Sequence, residues 1–224
     1  MAKELTRAQL GLACGITASA GFVDGVGFIH LGGYFVSFMS GNSTRAGADL
    51  AEGDLLGWAK AIGLVVAFVF GVIIASLATS AHTPAHPGSP ATRPQLRAIW
   101  LSLAILTLAA LCGILPHTKV AVAPLLAAAM GAVNSTFSRG GEVSVGLTYM
   151  TGALVKAGQL FAARLRGAPE SGWLRYAALW AAIALGSIAG AGSYLAVGLP
   201  ALWAVVVVLG CCACLLWVRR RRRA

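Results

Sequence analysis

One acidic residue and two short hydroxyl-rich stretches are the groups of this sequence best suited to chemistry. Asp24 lies inside the apolar stretch 9–31 and is flanked by Gly21, Gly25 and Gly27. An ionisable group inside a membrane span costs roughly 2.5–3.5 kcal/mol on insertion scales, so it usually faces a cavity or a partner. Asp24 therefore indicates either a proton or cation site, or a charge near the interface that caps or pairs structurally.

The hydroxyl-rich stretches are Ser40–Thr44 and Thr151–Gly152, and each contains a glycine at which a helix can break. Arg45 and Lys156 follow the two glycines at the same offset. A helix that restarts after each break would aim its positive dipole end at the space between the breaks. The pattern favours a site for a polar or anionic solute. The alternative is that both bases reach lipid head groups and the glycines only permit close packing.

The composition predicts that these residues belong to a membrane protein. Of the 224 residues, 58% are hydrophobic and 11% are charged, whereas soluble domains carry roughly 25% charged residues. Six segments are long and apolar enough to span a bilayer, namely 9–31, 56–81, 96–116, 119–138, 173–197 and 200–218. Segments 34–50 and 143–165 are interrupted by polar residues, as re-entrant or broken helices are.

An internal repeat relates the two hydroxyl-rich stretches. Residues 36–47 (VSFMSGNSTRAG) and 147–158 (LTYMTGALVKAG) match in kind at nine of twelve positions. Upstream, the residues Gly21–Asp24 match Gly131–Asn134, and downstream Trp58 matches Trp173. The offsets between copies are 110, 111 and 115 residues. Three collinear matches indicate a duplication, with a first repeat at 1–116 and a second repeat at 117–224.

Each copy holds three full spans if its interrupted segment does not cross, and an odd number of spans makes the copies insert upside down relative to each other. The loop after the interrupted segment is acidic in the first copy (Asp49, Glu52, Asp54) and basic in the second (Arg164, Arg166). Positively charged loops stay inside, so the first loop is predicted outside and the second inside. The rival arrangement has eight spans, parallel copies, and Arg93 and Arg97 outside.

The same rule predicts the location of the termini. The run Arg219–Arg223 directly follows an apolar stretch, and Lys3 and Arg7 precede the first span. We expect both termini to be cytoplasmic in a multi-pass protein of a bacterial-type inner (plasma) membrane, with a polybasic cytoplasmic tail that contacts lipid. The basic residues form no stripe with interleaved aromatics, so nucleic acid is not an expected partner.

The sequence gives little support for a metal, a cofactor or an enzyme. His82 and His86 have a spacing that could bind metal on a helix, but Pro84 lies between them and disfavours a helix there. Cys211 and Cys214 have no second cysteine pair to complete a zinc site. The common catalytic motifs of hydrolases, phosphate-binding loops and metalloproteases are missing. We therefore expect no metal, no cofactor and no enzymatic activity.

The residues Gly21–Asp24 (GFVD), an aromatic-rich turn and then Phe38–Asn42 (FMSGN) resemble the signature of the YoaK-like bacterial membrane proteins, a family known as domain of unknown function 1275. The resemblance covers essentially the whole chain. Ser40 stands where the family usually has Thr, and Ala153 stands where the second copy would need Asn. The resemblance implies a multi-span inner-membrane protein and supplies no substrate or reaction.

The sequence as a whole predicts an all-α integral membrane protein with six transmembrane helices, two interrupted segments and two inverted repeats. We expect it to let a small polar or anionic solute cross the bilayer, with coupling to protons at Asp24 as one option. The candidate binding residues are Asp24, Asn42, Thr44, Arg45, Asn134, Thr151 and Lys156. The alternatives are a non-transporting scaffold or accessory protein and an intramembrane enzyme on a lipid-like substrate. A homo-oligomer is left open.

Overall fold

The computed structural model describes residues 6–79, 96–139, 142–143, 150–168 and 172–221. These ranges hold eight α-helices, which are α1 (Arg7–Leu31), α2 (Met39–Ala51), α3 (Leu55–Thr79), α4 (Leu96–Ile114), α5 (Val122–Asn134), α6 (Met150–Leu165), α7 (Trp173–Val197) and α8 (Leu202–Arg221). Two strands of two residues each, β1 (Ser138–Arg139) and β2 (Glu142–Val143), pair antiparallel. The all-helical prediction is confirmed apart from this short ribbon. The loop that carries His82, His86 and Arg93 lies outside the described residues.

Five helices in the described ranges are long and apolar enough to cross a bilayer, and they coincide with five of the six predicted spans. They are Ala8–Leu31, Leu55–Thr79, Leu96–Ile114, Trp173–Val197 and Leu199–Val218. The predicted span 119–138 is not one long helix. A 3-10 helix, Pro116–Ala121, leads into α5, which has 13 residues, about 20 Å of helix. Two prolines fix where these two elements begin. Pro116 opens the 3-10 helix, and Pro124 lies in the first turn of α5, the part of a helix in which its missing N–H is tolerated.

Local signals set both ends of α1. Thr6 caps its start, since the Thr6 hydroxyl accepts from the Gln9 N–H (3.2 Å) and the Gln9 side chain accepts from the Thr6 N–H (2.9 Å). Gly32 ends the helix with φ of 70°, a left-handed conformation that glycine adopts without a steric penalty. The chain therefore leaves α1 sharply and enters the extended stretch that leads to α2.

The helix α3 begins beside the end of α1. The Lys60 ammonium group donates a hydrogen bond to the Leu31 carbonyl, one and a half turns into α3. The Tyr34 hydroxyl, just after α1, lies beside Gly57, where an added Cβ would be 2.7 Å from it. Both contacts place the start of α3 at the end of the bundle where α1 stops. The intervening α2 therefore does not carry the chain to the opposite end.

The helices α1 and α7 cross closely through glycines. A Cβ added at Gly21 would fall on the Ile183 carbonyl, and a Cβ added at Gly186 would fall on the Ala18 carbonyl. Such small-residue seams let two helix backbones approach each other in membranes. Further along the seam, the His30 Nδ1 and Tyr194 hydroxyl are 2.9 Å apart. The contacts of Gly21 with Ile183, Gly25 with Ser187 and His30 with Tyr194 rise together in residue number, so α1 and α7 run parallel.

The helices α3 and α5 cross in the same way. A Cβ added at Gly131 would fall on the Phe68 carbonyl, and a Cβ added at Gly71 would fall on the Ala128 carbonyl. Gly131 and Ala128 lie 110 residues after Gly21 and Ala18. The corresponding residues of α7, Ile183 and Gly186, lie 115 residues after Phe68 and Gly71. The contacts of one crossing therefore recur in the other at the offsets of the sequence repeat.

Candidate functional site

Asp24 anchors the extended stretch that follows α1. Its Oδ1 accepts hydrogen bonds from the backbone N–H groups of Val36 (2.9 Å) and Ser37 (2.8 Å), and its Oδ2 accepts one from the Ser37 hydroxyl. Gly27, one turn further along α1, leaves the room into which the Val36 side chain packs. Three donors thus stabilise a carboxylate placed inside a span, where it would otherwise be costly.

Asn42 anchors the same stretch from the other side. Its Oδ1 accepts from the Phe35 N–H (2.9 Å), and its Nδ2 donates to the Phe35 carbonyl (2.7 Å). The Asn42 side chain is fully buried. Asn42 thereby pairs with both backbone hydrogen-bonding groups of Phe35, which lies outside the helices and has no helical partners for them. Asn42 therefore shapes the site and does not itself line the cavity described below.

The first break lies earlier than the sequence predicts. We expected it at Ser40–Thr44, but these residues form the first turns of α2. The unwound stretch is Gly32–Phe38, and it starts with two glycines of positive φ, Gly32 and Gly33. Thr151 likewise lies in the first turn of α6, and residues 144–149 before it are outside the described ranges. The prediction placed the break at the hydroxyl groups, whereas the freed backbone is satisfied by Asp24 and Asn42.

A cavity of about 650 Å³ lies between α1, the unwound stretch, the start of α6 and α7. Four of its described lining residues are polar, namely Asp24, Ser37, Thr151 and Ser187. The first two come from the first half of the chain and the last two from the second half. Thr151 belongs to one of the two hydroxyl-rich stretches that the sequence singled out, whereas Ser37 lies before the other, and no residue of Ser40–Thr44 is among the described lining residues.

The remaining wall of the cavity is apolar. Three phenylalanines, Phe28, Phe35 and Phe38, line it from the first half, and Ile183 and Ile188 line it from α7. Ile188 is 69% exposed and Phe28 is 43% exposed. The cavity wall thus includes large apolar side chains that are exposed at the surface of the bundle.

The other predicted site residues do not line the cavity. Thr44 is exposed, and its hydroxyl donates to the Ser40 carbonyl of its own helix (3.1 Å). Asn134 donates to the Met130 carbonyl in α5 (2.8 Å). Lys156 is exposed on α6. Of the seven candidates, Asp24 and Thr151 lie together in this cavity.

Arg45 belongs to a second polar cluster, at the end of α1. Its Nε lies 2.8 Å from Oδ1 of Asp49, whose Oδ2 accepts from the Tyr34 hydroxyl (2.8 Å). The Lys60 ammonium group lies 4.4 Å from the centre of the Tyr34 ring. Burial, followed by the hydrogen bond to Asp49, raises the pKa of Tyr34. The cluster ties α2 and α3 to the end of α1, and Arg45 is engaged there rather than in the cavity.

Sequence reasoning missed this cluster and two parts of the cavity wall. Tyr34 directly follows Gly32 and Gly33. Two consecutive glycines indicate a turn, but they do not indicate that Tyr34 contacts Asp49 and Lys60. Ser187 sits within the glycine-rich spacing of α7, and that spacing by itself indicates only packing. The three phenylalanines converge only because the stretch between α1 and α2 is unwound. Metal clusters of three or more His, Cys, Asp or Glu do not occur among the described residues.

Comparison with known proteins gives a family but no activity. The family model described as "Protein of unknown function (DUF1275)" matches residues 12–215. A protein of Rhizobium meliloti (strain 1021), named "UPF0700 transmembrane protein RA0705", is 35% identical over 211 residues, which cover 88% of this chain and 82% of the relative. No solved structure matches the chain.

Proposed function

This chain belongs to the DUF1275 family of uncharacterised membrane proteins, and we propose that it lets a small polar solute cross the bilayer. The observation that carries the proposal is the cavity that contains Asp24 and Ser37 from one half of the chain and Thr151 and Ser187 from the other. Ligand sites of many transporters lie at the interface of two repeats, where helices are discontinuous.

The proposal includes two inverted repeats, at 1–116 and 117–224. Two observations support this arrangement. The contacts of Gly21 with Ile183 recur between Gly131 and Phe68 at the offsets of the repeat. The position of Lys60 beside Leu31 argues that α2 turns back instead of crossing. With three crossings in each half, the composite stretch 116–137 supplies the sixth crossing.

The orientation follows from the charged loops. Arg164 and Arg166 lie at the end of α6 and are exposed, so we place this loop in the cytoplasm by the positive-inside rule. The opposite loop, with Glu52 and Asp54, then lies outside, and both termini lie inside. We propose a bacterial-type inner membrane as the location on the same grounds.

Asp24 is the residue that we propose to couple transport to protons. It is the titratable group among the described residues of the cavity wall, and its protonation would weaken its hold on Val36 and Ser37. These hydrogen bonds fix the unwound stretch, so a change of charge on Asp24 would alter the wall of the cavity itself.

The test is solute flux in proteoliposomes under an imposed pH gradient, screened without bias over polar solutes. Asp24→Asn should abolish the pH dependence of the flux, because the amide cannot titrate. Glu52→Gln is the matched control, since it removes an exposed carboxylate that is not among the lining residues of the cavity. Full pH dependence in Asp24→Asn would refute coupling at this residue, and the absence of flux for every solute class would refute transport.

One observation favours a second candidate function. The Ser37 hydroxyl donates to the Asp24 carboxylate, and a hydroxyl beside a base is the minimum arrangement for an intramembrane hydrolase. The described cavity wall supplies no histidine or lysine to pass the proton to a leaving group, so we favour transport and propose that the chain is not an enzyme. A serine-reactive fluorophosphonate that labelled the wild type but not Ser37→Ala would reverse this choice.

A further inference from the structure

Three phenylalanine rings form one continuous surface next to Asp24. The ring centres of Phe28 and Phe35 are 5.0 Å apart, and those of Phe35 and Phe38 are 5.3 Å apart. Gly41 makes this packing possible, because a Cβ there would lie 2.9 Å from the Phe35 ring. Phe28 and Phe38 remain 43% and 42% exposed. The aromatic surface is therefore available to a ligand and is not sealed inside the core.

The electrostatics of the cavity favour positive charge. Asp24 is the one ionisable side chain among its described lining residues, and the hydroxyls of Ser37, Thr151 and Ser187 are neutral. The cations Arg45 and Lys60 lie in the separate cluster around Tyr34. An anion entering the cavity would meet a carboxylate and the negative faces of aromatic rings. A cation would be attracted by both.

We propose that the cavity binds small organic cations in which an ammonium group is attached to an apolar body. The inference rests on the proposed transport function and narrows its polar solutes to this class. The ammonium group would lie between the Asp24 carboxylate and the rings of Phe28 and Phe38, where a cation–π contact adds to the charge pair. The apolar body would lie against Ile183 and Ile188, and the open side of the cavity would admit it from the lipid.

Proton exchange follows from the same geometry. The described lining residues on α1, the unwound stretch, α6 and α7 include no titratable group besides Asp24. A proton and an organic cation therefore compete for one carboxylate. Binding of a univalent cation to the protonated protein releases one proton, so charge is conserved at the site. Affinity for the cation should rise with pH until Asp24 is fully ionised.

The experiment is equilibrium binding of radiolabelled benzyltrimethylammonium to the purified protein in lipid nanodiscs, with empty nanodiscs subtracted. Benzenesulfonate and neutral neopentylbenzene serve as competitors of similar size and opposite or no charge. We expect competition by unlabelled cation only, and weaker binding at acidic pH. Asp24→Asn should lower the affinity by on the order of tenfold or more, and Phe28→Leu by severalfold. Glu52→Gln, outside the cavity, should leave it unchanged.

Asp24→Glu guards against a trivial loss of fold, because it keeps a carboxylate at this position. It should keep the preference for the cation and the pH dependence of binding that Asp24→Asn loses. If Asp24→Asn does not fold, the ion selectivity and pH dependence of the wild type decide the matter. Equal binding of benzenesulfonate, or an affinity independent of pH, would overturn the inference.

Flux measurements separate this inference from the proposed function. Flux of neutral polar solutes without cation binding would leave transport standing and remove the organic-cation class. Asp24-dependent cation binding without flux of any solute would leave the organic-cation site standing and refute transport.

Discussion

Alanine at Gly21 should push α1 and α7 apart, because the added Cβ would meet backbone atoms that cannot rotate away. It would lie 2.9 Å from the carbonyl carbon of Ile183, whereas ordinary carbon contacts are about 3.5–4.0 Å. The helices must therefore separate by roughly 1 Å. Overpacking of this kind costs about 1–3 kcal/mol, and we expect the upper end because backbone is involved. Alanine recovers about 1 kcal/mol of helix propensity, which leaves a net loss of about 2 kcal/mol.

The repeat supplies matched variants for this test. Gly131→Ala is the counterpart of Gly21→Ala and meets the Phe68 carbonyl in the same way. Gly47 and Gly158 are another equivalent pair, but nothing lies within 4 Å of a Cβ at either position. Alanine at these two sites should stabilise the helices by up to about 1 kcal/mol. The clashing and open pairs should therefore differ by about 3 kcal/mol.

Thermal unfolding of the four purified variants in one detergent is the assay. At roughly 2–4 °C per kcal/mol for a chain of this size, the clashing pair should melt about 6–12 °C below the open pair. The double variant Gly21→Ala/Gly186→Ala should lose less than the sum of its parts, since both residues lie in one crossing. Gly21→Ala/Gly131→Ala should be additive, because its residues lie in different crossings. If Gly131→Ala melted with the open pair, the equivalence of the two crossings would be refuted.

Three further changes test the site and the orientation. Asn42→Ala should lower the free energy of unfolding by about 1–3 kcal/mol, because it leaves the backbone groups of Phe35 unsatisfied. Ser43→Ala is the control, because the exposed Ser43 hydroxyl bonds within its own helix, and it should change the free energy of unfolding by no more than about 0.5 kcal/mol. Chemical unfolding measures both variants. The pKa of Tyr34 is raised from a usual value of about 10, so its stabilising contribution is complete below about pH 10 and is lost as pH rises through the higher value. Tyr34→Phe should therefore weaken the alkaline loss of stability in pH-dependent melting, and an unchanged profile would contradict this. Glu52→Cys and Arg166→Cys in a cysteine-free background should react with a membrane-impermeant thiol reagent from opposite sides, and labelling of both from one side would remove the inverted-repeat proposal.

The long helices could be predicted because their signal is local. An unbroken apolar stretch has few alternatives to a spanning helix, since its backbone must be satisfied internally. The segment 173–197 was predicted with the bounds that α7 has, and α4 ends two residues before the predicted end of segment 96–116. The 119–138 segment was misjudged because hydropathy does not register Pro124, which a helix accommodates only in its first turn, so that α5 starts at Val122.

The unwound stretch and its partners could not be predicted from local pattern. The N–H groups of Val36 and Ser37 are satisfied by a carboxylate more than ten residues away. Nothing in the local sequence shows that this acceptor is available, so the break was assigned to the nearest polar residues instead. The same reason hid the ring cluster, which exists only once the chain between α1 and α2 is extended. The sequence did indicate that Asp24 is unusual, because it is an ionisable residue inside an apolar stretch with no charged partner nearby in sequence.

The two halves of the chain share the packing of one helix crossing but differ at one titratable position. Gly21 and Gly131 hold equivalent places in the two crossings because close backbone approach tolerates no side chain at either. Three residues on, Asp24 is a carboxylate that accepts from the unwound stretch, and its counterpart Asn134 is an amide, which donates to the Met130 carbonyl. Under the proposed inverted repeat, a carboxylate at one position and an amide at the other leave Asp24 as the titratable group among the described residues of the cavity wall. Under the proposed function, this asymmetry sets the exchange at one proton for each univalent cation.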